Sequence, residues 1–156
     1  MTYTYIVKQY DPKKQARAVG VSLPISGKKS VEICSSIRGK SLAKAKAFLA
    51  RVMDMAEPVR YTKFNRGGTG HKAGGSAGRY PIKSAKVILK LLNTVEANAE
   101  SNGLDTKSLK IIHIASQKAP VAWHYGRQRR TKMKRSHVEI MVEEAAEPKK
   151  EAKRKK

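Results

Sequence analysis

Residues 108–144 read SLKIIHIASQKAPVAWHYGRQRRTKMKRSHVEIMVEE, and the fold turns on how the two ends of this stretch relate. At the near end Leu109, Ile111, His113 and Ala115 fall on one side and Ile112 and Ile114 on the other, the period-two pattern of a strand covered in part on both faces. At the far end Val138, Ile140 and Val142 alternate with Glu139, Met141 and Glu143, so a second strand carries one apolar face. The two can pair antiparallel, but the connection from Ala119 to Ser136 is far longer than the roughly two to five residues of an ordinary hairpin. Loops of that length inside a compact domain are functional or disordered. Run outward as a ribbon, about nineteen residues from Ser108 to Arg127 at ~3.3 Å each span on the order of 60 Å, which carries the tip away from any core. Something outside the chain must then hold it.

The tip is chemically one-sided. Trp123, His124 and Tyr125 precede Arg127, Arg129, Arg130, Lys132, Lys134 and Arg135, with no acid among them. Cationic side chains neutralise phosphates while aromatic rings stack on unpaired bases, a combination suited to folded or single-stranded RNA. For Trp123 the competing reading is a lone indole packed against its own strands.

The rest of the chain agrees with a polyanionic partner. Lys and Arg number 34 against 12 Asp and Glu, a formal charge of +22 on 156 residues, and self-repulsion on that scale disfavours a compact state unless a polyanion neutralises it. The length suits one domain with appendages. No run of about 18 apolar residues occurs and no apolar signal core follows MTYTYIVKQY, so neither a membrane span nor Sec export is expected. The single cysteine, Cys34, has no partner for an internal disulfide and sits at an apolar helical position, where a small core side chain is the expected role.

Upstream, an extended arm passes a turn at Asp11-Pro12 and enters a short strand near 16–23. Ser26 is a candidate N-cap for a helix bearing Val31, Cys34 and Ile37, with Gly39 as its C′ residue. Ser41 opens a second helix striped by Leu42, Ala45, Leu49, Val52 and Ala56 and ended by Pro58. Residues 58–80 hold six of the eleven glycines and no acid, which predicts a loop too Gly-rich to pack on itself. Its glycines can cradle phosphate through backbone N–H groups beside Arg66, Lys72 and Arg79, or serve as a plain flexible linker.

Pro81, as an N1 residue, opens what should be the longest helix, with Ala85, Ile88, Leu92, Val95 and Ala99 on one face and Asn102-Gly103 at its end. Lys83, Lys86 and Lys90 share a face in its N-terminal half while Glu96 and Glu100 come late, against the helix dipole. An external anion accounts for that placement better than helix stability does, a solvated basic face being the alternative. The tail EEAAEPKKEAKRKK is expected to be disordered unless bound.

Catalytic constellations are absent. His71, His113, His124 and His137 form neither HExxH nor a Cys/His zinc pattern, and GKS at 39–41 lacks the preceding glycine of a P-loop, since Cys34 stands there. No acid occurs from Pro58 to Val95, so paired carboxylates for acid–base work are lacking. No cofactor or metal is expected.

Taken together, SGKKSVEICSSIRGKSLAKAKAFL (26–49), AGRYPIKSAKVILKLLNTVEANAESNGLD (77–105), SLKIIHIASQKAP (108–120) and SHVEIMVEE (136–144) resemble the large-subunit ribosomal protein number 22 family. FNRGGTGH (64–71) is similar to the insertion of its archaeal and eukaryotic branch. The resemblance implies an α+β body of about three helices on a small antiparallel sheet, with a long protruding hairpin. It implies a single domain over 1–146, the insertion at 58–80, the hairpin at 108–144 with its tip near 119–135, and a charged tail at 147–156.

It further implies a non-enzymatic cytoplasmic constituent of the large ribosomal subunit that organises several domains of its rRNA. Gly126, Arg127, Gln128, Arg129 and Arg130 would line the polypeptide exit tunnel, beside ribosomal protein number 4 and the nascent chain, with no membrane contact and no homo-oligomer. The expected rRNA contacts are Arg60, Lys63, Arg66, His71, Lys72 and Arg79 in the insertion and Lys83, Lys86 and Lys90 on the long helix. Lys118, Trp123, His124, Tyr125, Arg127, Arg129, Arg130, Lys132, Lys134 and Arg135 complete the set on the hairpin. A free nucleic-acid chaperone or DNA-packaging protein is the alternative that charge alone supports. An RNA-processing enzyme using His124 and His137 is a third class.

Overall fold

In a computed structural model, which describes residues 3–66, 69–72 and 76–145, the two strands of the opening stretch do pair. β1 (Gln15–Leu23) is followed by α1 (Gly27–Ile37), α2 (Leu42–Met53), β2 (Val59–Arg60), β3 (His71–Lys72), β4 (Ser76–Arg79), α3 (Ile82–Ser101), β5 (Leu109–Lys118) and β6 (Ser136–Glu144). β5 and β6 run antiparallel from Leu109↔Glu144 to Lys118↔Ser136, and β1 joins the other edge of β6, giving the order β1-β6-β5. The expected tail at 147–156 lies outside the described residues.

The three helices cover one face of this sheet, α3 on β1 and β6, α1 on β5, and α2 behind against α3. Ile33, Ile37, Leu42, Leu49, Ile88, Leu92, Leu109, Ile111, Ile114, Ile140 and Val142 form one cluster between the layers. Burial of that apolar area is the main driving force of the fold, at roughly 1.5–3 kcal/mol for each large side chain.

β5 departs from simple alternation. The register passes from Ile111↔Val142 directly to His113↔Met141, so Ile112 is the extra residue of a bulge and stays exposed. Two residues opposite one reverse the phase of the remaining strand, and Ile114 joins Leu109 and Ile111 in the core where His113 and Ala115 were expected. The ladder resumes after the bulge and runs to Lys118, so β5 covers ten residues and the regular strand stops short of the Arg127 that an extended ribbon would reach.

β6 is buried on both faces because the N-terminal arm crosses the outer one. Tyr3 Oη and the Ile6 N–H donate to Glu139 Oε2 at 3.0 and 3.2 Å, and His113 Nε2 lies 2.6 Å from Glu139 Oε1. A buried carboxylate is tolerated only when so partnered. The Arg17 guanidinium sits 4.2 Å from the ring centres of both Tyr5 and Tyr10, fixing the arm to β1.

The helices are broadly as the periodicity predicts, with local corrections. α1 buries Ile33, Cys34 and Ile37 but leaves Val31 half exposed, since its covered face is shared between β5 and the segment after α2. Gly39 has φ +74°, the left-handed value that suits glycine at C′, and donates its N–H to Ile111 O at 3.0 Å. α2 stops at Met53, well before Pro58, so Ala56 lies beyond its stripe and is exposed. α3 is the longest helix, with Pro81 one position earlier than expected, at the N-cap.

The largest correction concerns residues 58–80. They are not a bare loop: β2, β4 and β3 form a second small antiparallel sheet in that order. Contrary to the expectation from its glycine content, the segment does pair with itself, and Val59 and Tyr61 enter the main core while Glu32 of α1 ties down the chain after β2.

Candidate nucleic-acid interface

Beyond Lys118↔Ser136 the ribbon continues in an irregular form, because Pro120 has no N–H to give to the ladder. The two sides are held by Ala119 N–H to Arg135 O (3.2 Å), Met133 N–H to Ala122 O (2.8 Å) and His124 N–H to Thr131 O (2.9 Å), with an isolated bridge between Trp123 and Lys132. A single 3₁₀ turn at Gly126–Gln128 closes the end, and Gly126 takes φ +62° to make it. The tip is therefore held mainly by its own backbone, with the Thr131 hydroxyl adding a bond to Gln128 O at 2.9 Å.

Its side chains face outward. Arg127, Gln128, Arg129, Arg130, Lys132 and Lys134 are exposed, Arg135 partly so, and Tyr125 is 87% exposed. Trp123 is 57% exposed, so it is not the packed anchor of the competing reading, and the Lys132 ammonium lies 4.4 Å from its ring centre. Exposed aromatic rings alternating with cations are able to take bases and phosphates at once. Arg135 differs from the others in donating through Nη1 to Ser22 O at 3.2 Å, which also locks the root of the extension to β1.

Beside a larger concavity of about 630 Å³ that holds Lys28, Lys118, Lys132, Lys134 and Arg135, three others gather the basic residues. One of about 430 Å³ lies between the start of α1 and the small sheet and brings together Lys63, Arg66, Arg79 and Lys134. A neighbour of about 490 Å³ joins Lys83 at the head of α3 to His124, Lys132, Lys134 and Arg135. The third, at the tip, lies among His124, Tyr125, Gly126, Arg127 and Gln128. Residues more than 50 positions apart in sequence thus form one basic surface, with Lys134 shared between the first two clefts.

Lys28 and Lys29 also line the first cleft, and Lys29 the second, yet neither was anticipated. A signal existed: both stand in the first turn of α1, where no acid occurs, as unfavourable to the helix dipole as Lys83 is in α3. Other expected residues are exposed but lie outside these clefts. Lys86 and Lys90 continue along α3, Arg60 and His71 lie on the small sheet, and Lys118, at the end of β5, lines the larger concavity instead. Lys72 belongs to β3.

The chain just after β2 is held by Glu32 of α1. Its Oε1 accepts the N–H groups of Lys63 (2.9 Å) and Phe64 (2.7 Å), while Oε2 accepts Thr62 N–H (3.1 Å) and Thr62 Oγ1 (3.3 Å). The carboxylate is 1% exposed. It turns the chain so that Lys63 and Arg66 face the cleft, and a charged side chain inside a helix gave no sequence cue for that role.

Among the described residues the histidines and the cysteine of this chain form no shared site. His137 accepts the Ser22 N–H through Nδ1 and stacks near Tyr3 at a ring separation of 5.5 Å, apart from any pairing with His124. Burial pushes the Cys34 thiol up to about 12, the signature of an inert core cysteine. Among the described residues no three side chains could hold a metal, and no helix is long and apolar enough to cross a membrane.

Residues 18–143 match the family model described as ribosomal protein L22p/L17e. The chain is 42% identical over 152 residues to the large ribosomal subunit protein uL22 of Ignicoccus hospitalis, covering 91% of this chain and 96% of that one. It is 41% identical over 144 residues to the protein of the same name from Methanocaldococcus jannaschii, covering 87% and 92%. With that of Staphylothermus marinus it shares 39% over 154 residues, covering 92% and 98%.

Proposed function

The chain belongs to the ribosomal protein L22p/L17e family, and from that premise we propose that it binds and organises large-subunit rRNA through its basic surface while its hairpin lines the polypeptide exit tunnel. As a family member it is a cytoplasmic structural constituent of the large ribosomal subunit, associated with the RNA and proteins of that particle, and not an enzyme.

The observation that carries the finer reading is the closed, outward-facing tip. Six cations within nine residues sit on a backbone held by its own hydrogen bonds, beside an 87% exposed tyrosine and a 57% exposed tryptophan. Holding such side chains away from the core gains nothing for the isolated chain, whereas RNA phosphates and unpaired bases complement them. The insertion residues Lys63, Arg66 and Arg79 and the α3 lysines extend the same surface to further RNA segments. Gly126 to Arg130 are the part that faces the tunnel, with ribosomal protein number 4 and the nascent chain as neighbours.

Sedimentation tests the reading. The protein is expected to travel with large subunits in moderate salt; recovery only in free fractions would overturn it. Affinity for a large-subunit rRNA transcript and for duplex DNA at one salt concentration separates this role from that of a general chaperone or DNA-packaging protein, which would bind both alike.

A further inference from the structure

Tyr61 is 5% exposed, and among the described residues its hydroxyl has no hydrogen-bond partner. Buried polar atoms are nearly always paired, so an unpaired one calls for an explanation. Burial raises the pKa of this phenol, which keeps its proton at neutral pH and makes it a donor in want of an acceptor.

Tyr61 lines the 430 Å³ cleft at the start of α1. The first intrahelical bond there runs from Ser30 N–H to Ser26 O, so the N–H groups of Gly27, Lys28 and Lys29 precede any helical acceptor, and the Ser26 side chain does not cap them. The cleft wall contains no acid, and Glu32, the nearest one, has both oxygens occupied by Thr62, Lys63 and Phe64. Lys28, Lys29, Lys63, Arg66 and Lys134 surround the same opening.

We propose that this cleft is a built seat for a single RNA backbone phosphodiester, held by the first-turn N–H groups of α1 on one side and the Tyr61 hydroxyl on the other. The inference rests on the RNA-binding reading and adds a defined contact to it. A phosphodiester supplies what the cleft lacks: an anion for the helix start and its ring of cations, and an acceptor oxygen for Tyr61. The hydroxyl is itself buried, so a phosphate oxygen reaches it only as side chains lining the cleft shift. A negatively charged protein segment would meet the same cations, but a tetrahedral anion can also take several N–H groups and a hydroxyl at once, and the start of α1 and Tyr61 line one cleft.

The test uses the whole chain, inorganic phosphate and a transcript of large-subunit rRNA. Phosphate titrated into ¹⁵N-labelled protein is expected to shift the amides of Gly27, Lys28 and Lys29 together and saturably. Tyr61→Phe should weaken that binding roughly tenfold while leaving thermal unfolding in phosphate-free buffer unchanged or raised, because the atom it removes has no partner. On the transcript, the same variant should lose a similar factor without altering the slope of log K against log salt. A Lys28→Gln, Lys29→Gln double variant should make that slope shallower by about 1.5.

If Tyr61→Phe binds phosphate and transcript as the wild type does, or if phosphate shifts amides over the whole basic surface alike, the seat does not exist, whereas the RNA-binding reading survives. If the wild type shows no preference for the transcript over duplex DNA, that broader reading fails, and the amide titration still decides the phosphate site.

Discussion

The carboxylate of Glu32 on α1 accepts the backbone N–H of Phe64 at 2.7 Å, across 32 residues of sequence. With the neighbouring bonds to Thr62 and Lys63, that contact converts a glycine-rich stretch into an ordered platform for Lys63 and Arg66. The carboxylate is buried at 1% exposure, so it needs these three consecutive N–H groups to offset its loss of water.

Replacing Glu32 by Ala is expected to destabilise the protein by about 3 kcal/mol, since bonds to charged groups are lost and buried N–H groups are left unmet. Glu32→Gln should cost less, keeping one acceptor oxygen. Urea unfolding checks both, and amide exchange at 62–64 should accelerate selectively. An alanine variant as stable as the wild type would contradict the assignment.

Changing Arg127, Arg129 and Arg130 together to Ala should leave thermal unfolding nearly unchanged, because all three are exposed and the turn is held by backbone bonds. RNA affinity should fall, and the log–log salt slope should become shallower by about 2 to 3, given ~0.7–0.9 per phosphate contact. Binding isotherms at several salt concentrations make the measurement.

Trp123→Ala should weaken RNA binding by about 1–3 kcal/mol if its ring stacks on a base, and disturb folding little, as the indole is 57% exposed. Since Trp123 is the only tryptophan, its fluorescence reports directly: RNA should quench it. Unchanged emission at saturating RNA would place the ring outside the interface.

Cys34 should resist thiol reagents in the native state at pH 8, its thiol being buried and raised to about 12, and react at once in denaturant. Ellman's reagent distinguishes the two states.

The N-terminal arm should loosen in alkali. Burial, and then the bond to Glu139, lift the Tyr3 phenol to about 12 from its ordinary 10, so the folded state holds a proton that the unfolded chain releases first. The stability this adds is complete below about pH 10 and is lost as pH rises toward 12. Tyr3→Phe should abolish this part of the alkaline decline, read from unfolding curves at pH 9 to 12.

Much of this architecture is legible from periodicity because α2 and α3 each keep one continuous buried stripe, and the pattern of Leu42, Ala45, Leu49 and Val52 records that directly. Where the covered face of an element is split between directions the pattern fails. α1 touches both the sheet and the insertion, so Ile33 and Glu32 are buried while Val31 is not. β5 hides a bulge at Ile112, since a run of isoleucines reads the same in either phase.

The interface divides along the same line. Charge, the overlong connection and the aromatic–basic tip are local properties, readable residue by residue, and by themselves they determined where the strands pair and which end carries the basic, outward-facing connection. The convergence of Lys28, Lys63, Arg79 and Lys134 on one cleft, the burial of Tyr61 without a partner and the grip of Glu32 on residues 62–64 were decided only by the tertiary structure. Each joins segments far apart in the chain, and such meetings depend on how helices and sheets pack rather than on any repeat in the sequence.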